Sequence, residues 1–102
     1  MAPKNPIILG IDPGTLITGY GVINAELQPL DFGCIRPPAR LSLADRYKII
    51  FESVEQLIAR HQPTVIAIES QFVLKNPQSA IKLGMAKGMA YLAAARSAIP
   101  IY

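Results

Sequence analysis

The sequence predicts a mixed α/β fold with two carboxylates at one edge of its sheet, and two features predict it. Two apolar runs each end in an acid: Ile7-Ile8-Leu9-Gly10-Ile11 reaches Asp12, and Val65-Ile66-Ala67-Ile68 reaches Glu69. Between them, apolar residues recur at helical spacing from Leu43 to Ile58. Runs of four or five residues rich in Ile and Val, apolar on both faces, mark strands buried in a parallel or mixed sheet. Ligands and chemistry gather at the carboxyl ends of such strands. If the two strands are neighbours and run the same way, their ends lie about 5 Å apart and bring both acids into one crevice. Carboxylates that close repel each other and attract a divalent cation.

After Asp12, Pro13-Gly14-Thr15 is a turn whose glycine admits positive φ. Thr18 to Ile23 follows as a strand, with Gly19 and Gly21 allowing backbone or ligand to come close. Asn24 to Pro29 makes the next turn and Leu30 to Arg36 a third strand, which Pro37-Pro38 ends. Strands joined by short turns are antiparallel, so the chain opens with a three-stranded meander. Ser42 with Asp45 resembles a capping box, and Leu43, Tyr47, Ile50, Phe51, Val54, Leu57 and Ile58 then trace one helix face. This amphipathic helix runs to about residue 60, where Gln62-Pro63 stops it. The helical crossover makes the strand ending at Glu69 parallel to an earlier one, with the first strand as its neighbour. Asn76-Pro77 caps and starts a second helix towards Ser97. Pro100-Ile101-Tyr102 reads as the opening of a further strand. Residues 1–102 are therefore expected to be one domain, truncated at its C-terminal end.

The second helix has an unusual composition. Ala80, Gly84 and Gly88 are spaced four apart, with Met85, Met89, Leu92, Ala93 and Ala94 over much of the remaining surface. A glycine inside a helix costs about 0.5–1 kcal/mol relative to alanine, so two of them imply that something packs against bare backbone. Close packing onto the sheet is one reading. A subunit interface built on Gly84, Met85, Gly88 and Met89 is the other, since the helix is apolar on more than one face.

Composition sets the outer bounds. The chain has 102 residues, 51% of them hydrophobic, and carries a net charge of +3, enough to bury a core and unlike a disordered or fibrous sequence. After Glu69 come Lys75, Lys82, Lys87 and Arg96 with no acid, a bias that suits a polyanionic partner. Cys34 is the single cysteine, which excludes an intrachain disulfide or a cysteine metal cage and fits a reducing compartment such as the cytoplasm. No segment offers the roughly 18 uninterrupted apolar residues of a membrane span, and the N-terminus lacks the apolar core of a signal peptide, so no membrane association is expected.

The order strand, strand, strand, helix, strand, helix, strand is that of the ribonuclease H-like fold, a mixed sheet with strands 1–3 antiparallel, strand 4 parallel and helices flanking it. Ile8-Leu9-Gly10-Ile11-Asp12-Pro13-Gly14-Thr15, followed by Thr18-Gly19-Tyr20-Gly21-Val22-Ile23, closely resembles the start of the RuvC family of Holliday junction resolvases. The resemblance continues through Gly33-Cys34-Ile35-Arg36, Ala67-Ile68-Glu69, Phe72, Lys75-Asn76 and Ser79-Ala80-Ile81-Lys82-Leu83-Gly84. It implies a homodimeric, Mg²⁺-dependent endonuclease, with Mn²⁺ as a substitute, that makes paired nicks across a four-way DNA junction in recombination and repair. It also implies a branch-migration motor as partner.

Carried over by that resemblance, Asp12 and Glu69 match two of the family's catalytic, metal-binding carboxylates. Hydrolysis of a phosphodiester needs charge neutralised on the phosphoryl oxygens, a water activated near neutral pH and a stabilised leaving oxygen, which two metals roughly 3.5–4 Å apart provide. The family completes its site with an Asp-x-x-Asp pair on a later helix that this chain does not reach, so the chain alone is expected to bind metal weakly and cleave poorly. The resemblance assigns Phe72 to stacking on a base at the junction centre, worth about 1–3 kcal/mol; its plain alternative is a plug onto the core. Lys75, Lys82 and Lys87 suit phosphate contacts, the alternative being a solvated helix face. Thr15 and Asn76 suit a metal-bound water or a phosphate, and equally a turn and a cap. His61 reads as a partner of the helix dipole and Cys34 as a core residue. Two other classes stay open: a nucleotide-binding phosphotransferase-like domain, in which Gly14 and Thr15 cradle phosphate, and a non-catalytic dimerisation or DNA-binding module.

Overall fold

A computed structural model of the chain describes residues 6–69 and 76–102. Strands β1 (Ile7–Asp12), β2 (Thr18–Asn24) and β3 (Pro29–Ile35) precede helix α1 (Leu43–His61), strand β4 (Val65–Ile68) and helix α2 (Pro77–Arg96). The sheet order is β3-β2-β1-β4, with β1, β2 and β3 antiparallel and β4 parallel to β1. The meander and the parallel fourth strand match the sequence expectation. So does the final segment: Ile101 bridges Ile66 in parallel, and the Tyr102 amide donates to the Ile66 carbonyl at 2.9 Å. An irregularity between Val22 and Ile23 shifts the β2–β3 register, which alternation alone does not reveal.

Each element forms for a local reason. Asn24 closes the β2–β3 turn by accepting the Glu26 and Gln28 amides on its side-chain oxygen, at 3.0 and 2.9 Å. Ser42 caps α1 by accepting the Asp45 amide at 3.1 Å, and Asp45 sits in the first turn at the positive end of the helix dipole. At the other end Gln62 takes the left-handed conformation and its amide donates to Ile58, a C-terminal cap immediately before Pro63. Asn76 caps α2 by accepting the Gln78 amide at 2.9 Å, with Pro77 opening the first turn. Asn76 is thus occupied as a cap.

Strand alternation divides the sheet. Leu9 and Ile11 of β1, Val22 of β2 and Ile66 and Ile68 of β4 are buried in one core with Tyr47, Ile50, Val54, Leu57 and Ile58 of α1 and Ala86, Ala90, Ala93 and Ala94 of α2. Ile8, Gly10 and Asp12 alternate onto the opposite face, where the described residues place no helix. Cys34 belongs to that uncovered face: it is exposed, and its Sγ accepts from Arg36 Nε at 3.2 Å. The expectation of a core cysteine fails because Ile35 takes the inward position and leaves Cys34 pointing out from an edge strand. His61 lies in the last turn of α1, and its Nε2 sits 2.9 Å from Asp31 Oδ2, so it also ties the helix end to β3.

Leu9 and Ile66 face each other in register and are fully buried. Truncating either to alanine is expected to cost about 2–5 kcal/mol in urea unfolding, with an unchanged slope.

Candidate metal centre

The site is built by the pairing of β1 with β4. Thr64 fixes one end: its amide donates to the Ile7 carbonyl at 2.8 Å, and its hydroxyl accepts the Ile7 amide at 3.2 Å. The Glu69 amide fixes the other end by donating to the Ile11 carbonyl at 2.9 Å. Ile11 pairs with Ile68, so the next residues on the two strands, Asp12 and Glu69, emerge side by side on the uncovered face. Both are exposed. Their carboxyl groups are hydrogen-bonded. That bond first, then the charge of Asp12, then slight desolvation, raises the Glu69 carboxyl above its ordinary range.

The loop after Asp12 is held rigidly. A Cβ on Gly14 would run into the carbonyl of Ile17, so the tight turn admits only glycine, although its φ is not positive. Thr18, itself buried, accepts the Gly14 amide at 3.5 Å. Arg46 reaches across from α1, and its Nη2 donates to the Thr15 carbonyl at 2.9 Å while its Nε is buried without a partner among the described residues. Thr15 is thus anchored through its backbone. Sequence reasoning missed Arg46, because a contact between residues 31 positions apart leaves no local signal.

Beside the acids lies a shallow depression of about 530 Å³, lined by Gly10, Ile11, Asp12, Gly19, Tyr20, Gly21, Gly33, Ala67, Ile68 and Glu69. Gly10, Gly19, Gly21 and Ala67 give it a floor with almost no side chains. The glycines noted in the sequence therefore lie beside the acids, where a bulky ligand can approach the backbone closely.

Two carboxylates side by side are the hard oxygen donors that Mg²⁺ and Mn²⁺ favour, and an octahedral ion leaves its other positions to waters and substrate oxygens. Asp12 and Glu69 fit such an ion. No group of three or more His, Cys, Asp or Glu side chains suited to a metal occurs among the described residues.

The remaining expected site residues are dispersed. Phe72 and Lys75 lie outside the described residues. Lys82 is exposed, and Lys87 places its ammonium 5.9 Å from the Tyr91 ring; neither lines the acidic depression. On α2, a Cβ at Gly84 or Gly88 would meet nothing within 4 Å, so these glycines do not serve close packing onto the sheet. Ala86, Ala90, Ala93 and Ala94 form the inward stripe, while Ile81, Met85 and Leu92 are 63%, 48% and 47% exposed on the other side. Met89 departs from the expected interface group: it lies between the two stripes, half-buried, and packs against the core.

A profile of the family described as crossover junction endodeoxyribonuclease RuvC matches residues 8–102. The chain belongs to the RuvC family. It is 56% identical over 99 residues to the crossover junction endodeoxyribonuclease RuvC of Protochlamydia amoebophila, a match covering 94% of this chain and 59% of that relative. It is 50% identical over 99 residues to the Vibrio parahaemolyticus RuvC, covering 94% of the chain and 57% of the relative. The chain thus spans about three-fifths of the length of the curated relatives it matches. T. thermophilus RuvC, solved in complex with a Holliday junction substrate, superposes with a TM-score of 0.86 at 26% identity, covering 95% of this chain and 62% of that one. The fold is ribonuclease H-like, as the element order predicted. RuvC-family nucleases depend on a divalent metal. No helix among the described residues is long and apolar enough to cross a membrane.

The raised Glu69 carboxyl sets a sign for stability. The folded state binds that proton more tightly than the unfolded state, so stability is expected to fall as pH rises from the ordinary glutamate range through the raised value. Asp12→Asn is expected to flatten this dependence and raise Tm at neutral pH in chelator. Added Mg²⁺ is expected to raise the Tm of the unsubstituted protein and to change that of the variant little, as followed by thermal melts.

Proposed function

We propose that this chain supplies the greater part of the nuclease domain of a Holliday junction resolvase that cuts four-way DNA junctions by paired, metal-dependent phosphodiester hydrolysis. The observation that carries the reading is the side-by-side emergence of Asp12 and Glu69 from β1 and β4 in a chain of the RuvC family. In this reading both carboxylates hold Mg²⁺, or Mn²⁺ in its place, which when bound neutralises phosphoryl charge and lowers the pKa of a bound water. Arg46 and Gly14 keep the turn beyond Asp12 fixed, so the carboxylate does not have to be ordered when substrate arrives. The glycine floor leaves space for the sugar-phosphate backbone at the acids. Lys75, Lys82 and Lys87 contribute phosphate attraction, and Phe72 stacks on a base at the junction centre.

The same reading makes the protein a cytoplasmic homodimer that works beside a branch-migration motor, since paired nicks need two sites. The dimer contact is assigned to the outward stripe of α2, with Gly84, Met85 and Gly88 at its centre and Met89 at its margin. Large apolar side chains turned outward while alanines face the core support that assignment.

The decisive assay is nicking of a labelled four-way junction, beside a matched linear duplex, by the intact protein in Mg²⁺. Paired nicks confined to the junction are expected, and Asp12→Asn or Glu69→Gln should lower them by more than about 10²-fold, the scale for removing one preorganised electrostatic group. A folded protein that leaves the junction uncut would overturn the reading.

The α2 stripe has its own test. A Cβ at Gly88 meets no atom within 4 Å among the described residues, and Gly88→Leu removes a helix-interior glycine, so it should stabilise the protomer by a few tenths to about 1 kcal/mol. Across an interface the same side chain collides with the partner. A sedimentation shift towards monomer with unimpaired protomer stability is the expected result; an unchanged dimer excludes this stripe.

A further inference from the structure

Cys34, Ile35 and Arg36 take no part in the metal centre, and they line a second surface feature. Between the edge strand β3 and helix α1 runs a furrow of about 300 Å³, lined in part by Cys34, Arg36, Ser53, Gln56 and Arg60. Among the described residues no carboxylate lines it. The α1 residues that border it, from Ile49 to Arg60, recur at helical spacing and span about 16 Å at 1.5 Å per residue. Because α1 runs back along the sheet, Arg36 lies at the end of the furrow nearer the acids and Arg60 at the far end.

The charges in the furrow are open to a ligand. Arg36 is exposed and makes no ion pair among the described residues; its Nε is held by Cys34 Sγ. Arg60 has a 63% exposed side chain and stands 3.9 Å from Asp31, whose carboxylate is shared at 2.9 Å with His61. Ser53 and Gln56, between the two arginines, add neutral hydrogen-bonding groups.

The β3 side of the furrow is in register with the metal centre, while its α1 wall stands beyond the β3 edge. Asp12 pairs with Gly19, and Gly19 pairs with Cys34, so the three residues form one row across β1, β2 and β3. Two strand spacings place Cys34 about 10 Å from Asp12. One strand of a DNA duplex carries a phosphate every 3.4 Å or so of helix axis, so a backbone with one phosphate at the acids has others beside Cys34 at the mouth of the furrow, and a duplex arm passing over the β3 edge brings later ones to its α1 wall.

We propose that the furrow between β3 and α1 grips the phosphate backbone of a DNA duplex arm, with Arg36 and Arg60 as its phosphate ligands. The proposal rests on the nuclease reading and adds to it a second anchoring surface, one that positions the arm without reading its sequence. Guanidinium groups suit this task because their planar donors match phosphate oxygens in pairs.

The test uses the intact protein with Asp12→Asn in every sample, so that bound junction is not cut. Binding of a four-way junction is measured between 50 and 200 mM salt for this protein, for Arg36→Gln with Arg60→Gln, and for Arg36→Lys with Arg60→Lys. Losing two phosphate contacts should reduce the magnitude of the log-log salt slope by about 1.8, so that affinity falls about tenfold less over that range. The lysine pair should restore the slope, and thermal melts should show all three proteins folded. Junction should also slow alkylation of Cys34 by N-ethylmaleimide. Junction binding by the parent protein with an unchanged slope in the glutamine variant and an unprotected Cys34 overturns the furrow alone. No junction binding by the parent protein overturns the nuclease reading, and the furrow proposal with it.

Discussion

Everything at the candidate site depends on the parallel register of β1 against β4. Strand side chains alternate, so the pairing that buries Leu9 and Ile11 beside Ile66 and Ile68 also turns Gly10, Asp12, Ala67 and Glu69 to the other face. A slip of one residue would carry an acid into the core and an isoleucine into water. Each of the four buried side chains contributes about 1.5–3 kcal/mol, and Thr64 pins the strand starts, so the register is set by apolar burial and backbone hydrogen bonds. The carboxyl groups are brought within hydrogen-bonding reach of each other, and that bond, then the charge of Asp12, is why the Glu69 carboxyl holds its proton more tightly. The fold maintains this close pair, and in the proposed reading a cation relieves it.

The rest of the edge is arranged to keep that pair accessible. Glycine in a strand interior forfeits packing and conformational entropy, yet Gly10, Gly19 and Gly21 occupy adjacent strands beside the acids. Their space requirements differ from that of Gly14. A Cβ on Gly10 or Gly19 would make only ordinary contacts, and one on Gly21 none, so the fold tolerates side chains there. Gly14, by contrast, is demanded by its own turn. The strand glycines are therefore better explained by what approaches the surface than by what lies beneath it.

Much of this was legible in the sequence because it is local or periodic. The strands ending at Asp12 and Glu69, the caps at Ser42 and Asn76 and the breaks at Pro37 and Pro63 all follow from residues within a few positions of one another. What escaped depends on tertiary neighbours. Cys34 looked like core because a strand pattern does not reveal which face a helix covers. The hold of Arg46 on the loop and the pairing of His61 with Asp31 join residues 30 or 31 positions apart. The furrow likewise needs β3 and α1 to be placed before Arg36 and Arg60 belong to one surface.

Helix α2 shows why hydrophobicity alone does not set which face turns inward. Its larger apolar residues, Ile81, Met85 and Leu92, face outward, while four alanines pack inward against β4 and α1. Small side chains on the inner stripe let the helix lie close to its neighbours, so space decides that face more than hydrophobicity does. The outer stripe then has no partner within the described residues. Glycines at 84 and 88 keep its surface low enough for another backbone to approach. A protomer that leaves this stripe in water gives up the burial of three large side chains, and two protomers sharing it, as proposed, would recover that burial and set two Asp12–Glu69 pairs in one particle. In the proposed reading, where paired cutting needs two sites, the composition of α2 and the acids at the end of β1 favour the same assembly.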